Sequence, residues 1–160
     1  MSKLTIQATA ADPTVAAAAS QFLAPIVLGL QALTVNGKQA HWHVRGANFI
    51  GVHEFLDTLV AHAGGWADEA AERIIALGLP IDARLQTIAD KTPATAVGAG
   101  FEQSADVIAK VVADIDAILA DLQAAIDGLD EIDLTSQDVA IGIKAGLEKD
   151  RWFLVAHVAE

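Results

Sequence analysis

Apolar residues recur every three or four positions along almost the whole chain, the spacing of side chains on one face of an α-helix. The first run opens at Asp12-Pro13, an N-cap followed by a residue suited to the first helical position, and predicts a helix from about Pro13 to Val44. Pro25 lies inside it without an amide proton, so a kink or a split is expected there. Arg45-Gly46-Ala47-Asn48 reads as a tight connection, with Gly46 ending one helix and Asn48 capping the next. In the second helix Phe49, Val52, Leu56, Leu59, Ala63, Trp66, Ala70, Ile74 and Leu77 keep the helical period until Gly78 and Pro80 stop it.

Residues 79–100 form a long connection broken by Pro80, Pro93, Gly98 and Gly100, within which ARLQTIADK predicts a short helix. A span of that size suits a crossover rather than a hairpin. A third helix, from about Phe101 to Asp127, turns Ile108, Val111, Ile115, Ile118, Leu122 and Ile126 inward and Asp106, Asp114 and Asp121 outward. After GLDEIDL a fourth begins near Thr135, whose hydroxyl and Asp138 approximate a capping box, and runs to about Val158. No strand pattern and no internal repeat is visible. The expected fold is all-α, a four-helix bundle with a short helix in the long crossover between helices two and three, filling residues 13–160 behind a flexible tail at 1–12.

The 160 residues suit one domain with a sizeable core. The absence of cysteine excludes disulfides, thiolate metal sites and thiol catalysis, so any metal must be held by histidine, carboxylate and water. A net charge of −11 accompanies 53% hydrophobic residues and a mean hydropathy of +0.40. That leaves too little polar surface to cover a monomer, so some apolar faces are expected to close against other subunits. The acidic balance attracts metal cations and repels polyanions. Pro13 to Gly37 carries no charge and is long enough to span a bilayer. Ser20, Gln21, Pro25, Gln31, Asn36, the many alanines and the lack of an aromatic belt instead favour a buried interface helix. No signal peptide is recognisable, and a cytoplasmic location is expected.

The candidate chemistry is concentrated in KQAHWHVRGANFIGVHEFLD, residues 38–57. His41 and His53 lie almost symmetrically about the turn, which places them at one height on antiparallel helices, where they can share an ion. Core or capping roles fit the same placement. Along the second helix His53, Asp57, Ala61, Gly64, Asp68 and Glu72 occupy a sector about 100° wide, and Asp68 and Glu72, one turn apart, can grip one ion together. A solvated charged face is the alternative. Fifteen residues separate His53 from Asp68, roughly 22 Å along a helix, so one chain cannot bring them together. Two copies can, if their second helices pack antiparallel about an axis near Ala61 and His62, where Ala61, Ala63, Gly64 and Gly65 permit close approach. Each dimer would then hold two equivalent sites of two imidazoles and two carboxylates. Nitrogen with hard oxygen ligands suits Fe(II), and also Zn, Mn or Co. Asp57 is a candidate for a second ion or for orienting an imidazole, and redox chemistry at paired iron follows.

His41-Trp42, His53 twelve positions after His41, and DEAAER with Asp68, Glu72 and Arg73 resemble the Dps-like miniferritins, starvation-induced relatives of ferritin, over residues 20–158. The resemblance implies a ferritin-like bundle in a hollow homo-dodecamer that oxidises Fe2+, typically with hydrogen peroxide, and stores the ferric product. It implies a ferroxidase site between subunits, with His41 and His53 from one chain, Asp68 and Glu72 from the other, Asp57 assisting, and up to two iron ions. Trp42 would stand beside the site to intercept radicals, or simply pack in the core. Surplus acids on helices three and four would serve entry pores and mineral nucleation. Members that condense DNA commonly carry lysine-rich tails, whereas the residues before 13 hold only Lys3 and Asp12, so DNA binding is expected to be weak or absent. His43, His62 and His157 read as structural or exposed, with His62 near its own copy if the axis lies where proposed.

Two other functions fit parts of the pattern. A metal-dependent hydrolase acting on an amide or acyl substrate would use an open metal position to activate water. HEFLD, however, is only half of a His-Glu-x-x-His motif, with Asp57 in place of the second histidine, and no Gly-x-Ser-x-Gly elbow is present. A purely structural, DNA-coating shell is the other.

Overall fold

A computed structural model describes residues 11–159. Its elements are α1 (Pro13–His43), β1 (Val44–Arg45), α2 (Phe49–Ala76), α3 (Leu85–Lys91), β2 (Glu102–Gln103), α4 (Ser104–Leu129) and α5 (Leu134–Ala156). Apart from Ala11 and Asp12, the expected tail lies outside the described residues. The four long helices form an antiparallel-hairpin bundle in which α1 packs along α2 and α4, and α5 along α4 and α2. The fold class is the one the hydrophobic period predicts.

α1 starts where Asp12 accepts hydrogen bonds from the amides of Thr14 and Val15, at 2.8 and 3.4 Å. It continues through Pro25 as one helix, so the expected split does not occur. Leu23, Ile26, Leu30 and Leu33 on either side of the proline are fully buried, and this packing outweighs the one missing hydrogen bond. α1 is long and apolar enough to cross a membrane, but its apolar stripe is buried against α2 and α4. The α1–α2 approach is close at Gly37, where a Cβ would lie 2.8 Å from Val60 Cγ2.

Gly46 ends the first hairpin arm at φ +97, as its lack of a Cβ allows. Asn48 occupies the N-cap position of α2 in the left-handed region, but its side chain makes no cap bond. It donates instead to the His157 carbonyl at 3.4 Å, tying the turn to the end of α5. α4 begins at Ser104 rather than at Phe101, because Glu102 and Gln103 pair in parallel with Val44 and Arg45, a two-residue ladder that no alternation announced. Ser104 Oγ donates to the Ala47 carbonyl at 2.6 Å, and the Arg45 guanidinium lies 3.6 Å from the centroid of the Phe101 ring. The returning crossover is thus clamped onto the turn between α1 and α2. At the start of α5 the capping group is Asp133, not the Thr135 hydroxyl: Asp133 accepts from the Thr135 amide at 3.3 Å and from Ser136 Oγ at 2.6 Å.

Candidate metal centre

The antiparallel register of α1 and α2 sets His41 opposite His53, Lys38 opposite Asp57 and Gly37 opposite Val60. The two imidazoles stack with centroids 3.7 Å apart and planes 19° from parallel. Each Nδ1 bonds the other residue's backbone carbonyl, His41 to His53 O at 2.8 Å and His53 to His41 O at 2.9 Å. A carbonyl only accepts, so each Nδ1 carries the proton and, in the neutral ring, each Nε2 keeps a free lone pair. Two metal-ready nitrogens are therefore oriented by backbone groups that cannot titrate. Phe49 flanks the His53 ring at 5.1 Å, while His41 is buried at 8% exposure.

Asp57, one turn beyond His53, lies with its Oδ1 at 3.6 Å from His41 Nδ1. The same oxygen pairs with the Lys38 ammonium. That bond outweighs the opposing effect of burial and holds the Asp57 carboxyl below its usual value. The sequence pattern did not single out Lys38, though its place one turn before His41 on the same helix was a readable signal. Trp42 follows His41 with 62% of its surface exposed, so a core-packing role does not hold within the chain.

Asp68 and Glu72 are exposed on α2 and do not approach the imidazoles of their own chain. Among the described residues no group of three or more histidine, aspartate and glutamate side chains is gathered as a metal cage. One chain thus brings two imidazoles and Asp57 together at one end of α2 and carries an exposed acid pair farther along it. Among the described residues Gly64 and Gly65 find no close reason, since a Cβ on Gly64 would meet only Thr34 at 3.9 Å and one on Gly65 nothing within 4 Å.

The other histidines are held by their own surroundings. His43 Nδ1 donates to Gln39 O at 2.8 Å and His157 Nδ1 to Phe153 O at 2.7 Å. His62 turns toward α5, where its Nδ1 meets Oδ2 of the buried Asp150 at 2.8 Å. Asp114, expected to point outward, is half-buried between α1 and α4 and accepts from Thr95 Oγ1 at 2.6 Å.

A bundle of two helical hairpins with a helix in the crossover and histidines facing across the first turn defines the ferritin-like class, and a family model of the ferritin-like domain matches residues 29–160. The solved structure of Dps from Microbacterium arborescens in the high iron form is similar at a TM-score of 0.92 and 70% identity, over 94% of this chain and 98% of that one. Mycobacterium smegmatis Dps in a tetragonal form gives a TM-score of 0.89 at 29% identity, over 98% of this chain and 96% of that one. The DNA protection during starvation protein of Agrobacterium fabrum is 34% identical over 124 residues, 77% of this chain and 76% of that protein. The corresponding protein of Mycolicibacterium smegmatis is 37% identical over 126 residues, a match spanning 66% of its length. The chain belongs to the Dps-like branch of the ferritin-like family.

Proposed function

We propose that this chain is the subunit of an iron-oxidising and iron-storing miniferritin, a ferroxidase that protects its cell against oxidative stress. The observation that carries the reading is the reciprocal His41–His53 pair, which leaves both Nε2 atoms free, with Asp57 Oδ1 3.6 Å from Nδ1 of His41. The exposed Asp68 and Glu72, which have no such partner nearby in their own chain, would complete the site from a second copy. Fe2+ is the substrate, bound by two borderline nitrogens and three hard carboxylates, a set suited to ferrous ions in one or two positions. Hydrogen peroxide is the proposed oxidant: two Fe2+ give one electron each, the O–O bond breaks, and two hydroxides and two Fe3+ remain. Trp42, exposed next to His41, would intercept a stray one-electron oxidant. A homo-dodecameric shell in the cytoplasm, closing over the ferric product, completes the proposal. Support comes from the relative at 70% identity, whose structure is described as a high iron form. The net charge of −11 opposes DNA binding, which we take to be weak or absent.

The inter-subunit site is tested by complementation. His41→Ala and Glu72→Ala subunits are each expected to assemble without ferroxidase activity. Mixed and reassembled in equal amounts, half of the dimers pair one of each, and in those one of two sites recovers both intact halves. About a quarter of wild-type activity should return, by the isologous symmetry of such a dimer. No recovery in verified hybrids would refute the shared site. Release of product from acylated substrates by the His41→Ala protein would leave the hydrolase reading separate from this metal centre.

A further inference from the structure

We propose that the crevice between α1 and α4 binds a short aliphatic diamine, whose two ammonium ends pair with Asp114 and Asp121 while its methylene stem lies on the apolar floor between them. The site is independent of the proposed metal centre, none of whose residues lines it. Gly29, Leu33, Ala117 and Ile118 form the floor, and Asp114 and Asp121 stand at its edge. A Cβ on Gly29 would lie 3.0 Å from Ile118 Cγ1, so a side chain there would crowd the floor that the glycine leaves open. The two aspartates are seven residues apart on α4. That is two turns along one face, a rise of about 10 Å.

The lining selects the ligand. Burial pushes both carboxyls above their ordinary value, at Asp114 against the bond that Thr95 Oγ1 donates at 2.6 Å. An ammonium within reach replaces the water that burial removes and makes the charged form favourable again. Lys91 at the rim is exposed, and among the described residues it pairs with neither carboxylate, so the crevice keeps its negative charge. Asn36 adds an amide oxygen on the wall that it shares with Thr92 and Thr95, at the Asp114 end. A single metal ion does not fit, because only helix residues three or four apart are close enough to grip one ion together. A monoamine leaves one aspartate unpaired. An extended stem of about four to six methylenes covers the span once a charge-assisted bond of about 2.8 Å is allowed at each end.

Calorimetric titration of the assembled protein with putrescine, at low salt to limit screening, reads the site directly. The wild type should show saturable binding, and n-butylamine, with the same stem and one ammonium, should bind about tenfold more weakly, as expected for one lost charge-assisted bond. Asp121→Asn, at an exposed position, should cost a similar factor. Asp138→Asn, which removes an exposed acid of α5 outside the crevice, should bind like the wild type. Ala117→Leu, which fills the groove from an exposed position and leaves the charge unchanged, should abolish saturable binding. Equal weakening by Asp121→Asn and Asp138→Asn would reduce the effect to general attraction by an acidic surface and overturn the proposal. Butylamine binding as tightly as putrescine, or no saturable binding by the wild type, would overturn it as well.

Discussion

Each imidazole of the His41–His53 pair is held by a carbonyl of the residue it faces, so the fold and the proposed orientation of the ligands depend on the same two hydrogen bonds. The two roles are separable by asparagine, whose amide can replace the Nδ1 donor but offers nothing at Nε2. His41→Asn is expected to keep the thermal midpoint within a few degrees of the wild type while ferrous oxidation, followed by absorbance of the ferric product, falls about 100-fold or more. Equal activity would take His41 out of the proposed metal site. At Asp114 burial pushes the carboxyl above its ordinary value of 3.8, against the bond from Thr95. The folded state thus binds this proton more tightly than the unfolded chain does. Stability should fall as pH rises from about 3.8 through the raised value, and Asp114→Asn, which can still accept from Thr95, should flatten that segment of a urea-midpoint profile.

Between elements, the seam of α2 and α5 is pinned at one end by Arg73. Its Nη2 donates to Asp133 at 2.7 Å and its Nε to Ser136 Oγ at 2.9 Å. Burial pushes the Asp133 carboxyl up, but the Ser136 hydroxyl and the Arg73 guanidinium outweigh it and hold it below the usual range. Asp133→Ala removes a cap and leaves a largely buried arginine unpaired, at an expected cost of about 2 kcal/mol measured by urea unfolding. A loss under about 0.5 kcal/mol would show the latch to be incidental. Its stabilisation is present at neutral pH and is lost as pH falls through the lowered value. The capping residue of α5 is ambiguous in the sequence because Thr135 and Asp138 satisfy a local pattern as well as Asp133 does. Arg73, sixty residues away, favours Asp133 by binding its carboxylate. For the same reason α4 starts at Ser104 and not at Phe101: the β1–β2 ladder depends on where the crossover returns, and local periodicity is silent on that.

For the whole molecule, Val35, Trp42, Ile50, Ile75 and Leu85 stand 55–77% exposed on α1, α2 and α3 of the isolated subunit. Exposed apolar surface, together with a glycine whose Cβ would meet nothing, supports the proposed contact with a second copy. Gly65→Leu should therefore leave a helical subunit intact but block assembly, with light scattering reporting the loss of the large particle. A particle of unchanged mass would place the contact elsewhere.

By itself the sequence determined whatever depends on neighbours within a turn or two: helix lengths, the breakers at Gly46 and Gly78, the inward stripes, and the symmetry of His41 and His53 about a short turn. Side-chain period and capping chemistry are local, so they can be read in order along the chain. Tertiary structure alone decided what meets across helices, including Lys38 on Asp57, Asp150 beneath His62, Asp114 inside the α1–α4 crevice and Asp133 under Arg73. These pairings depend on the rotation and height of one helix against another. Packing of the entire core sets those two quantities, and no single stretch of residues encodes them.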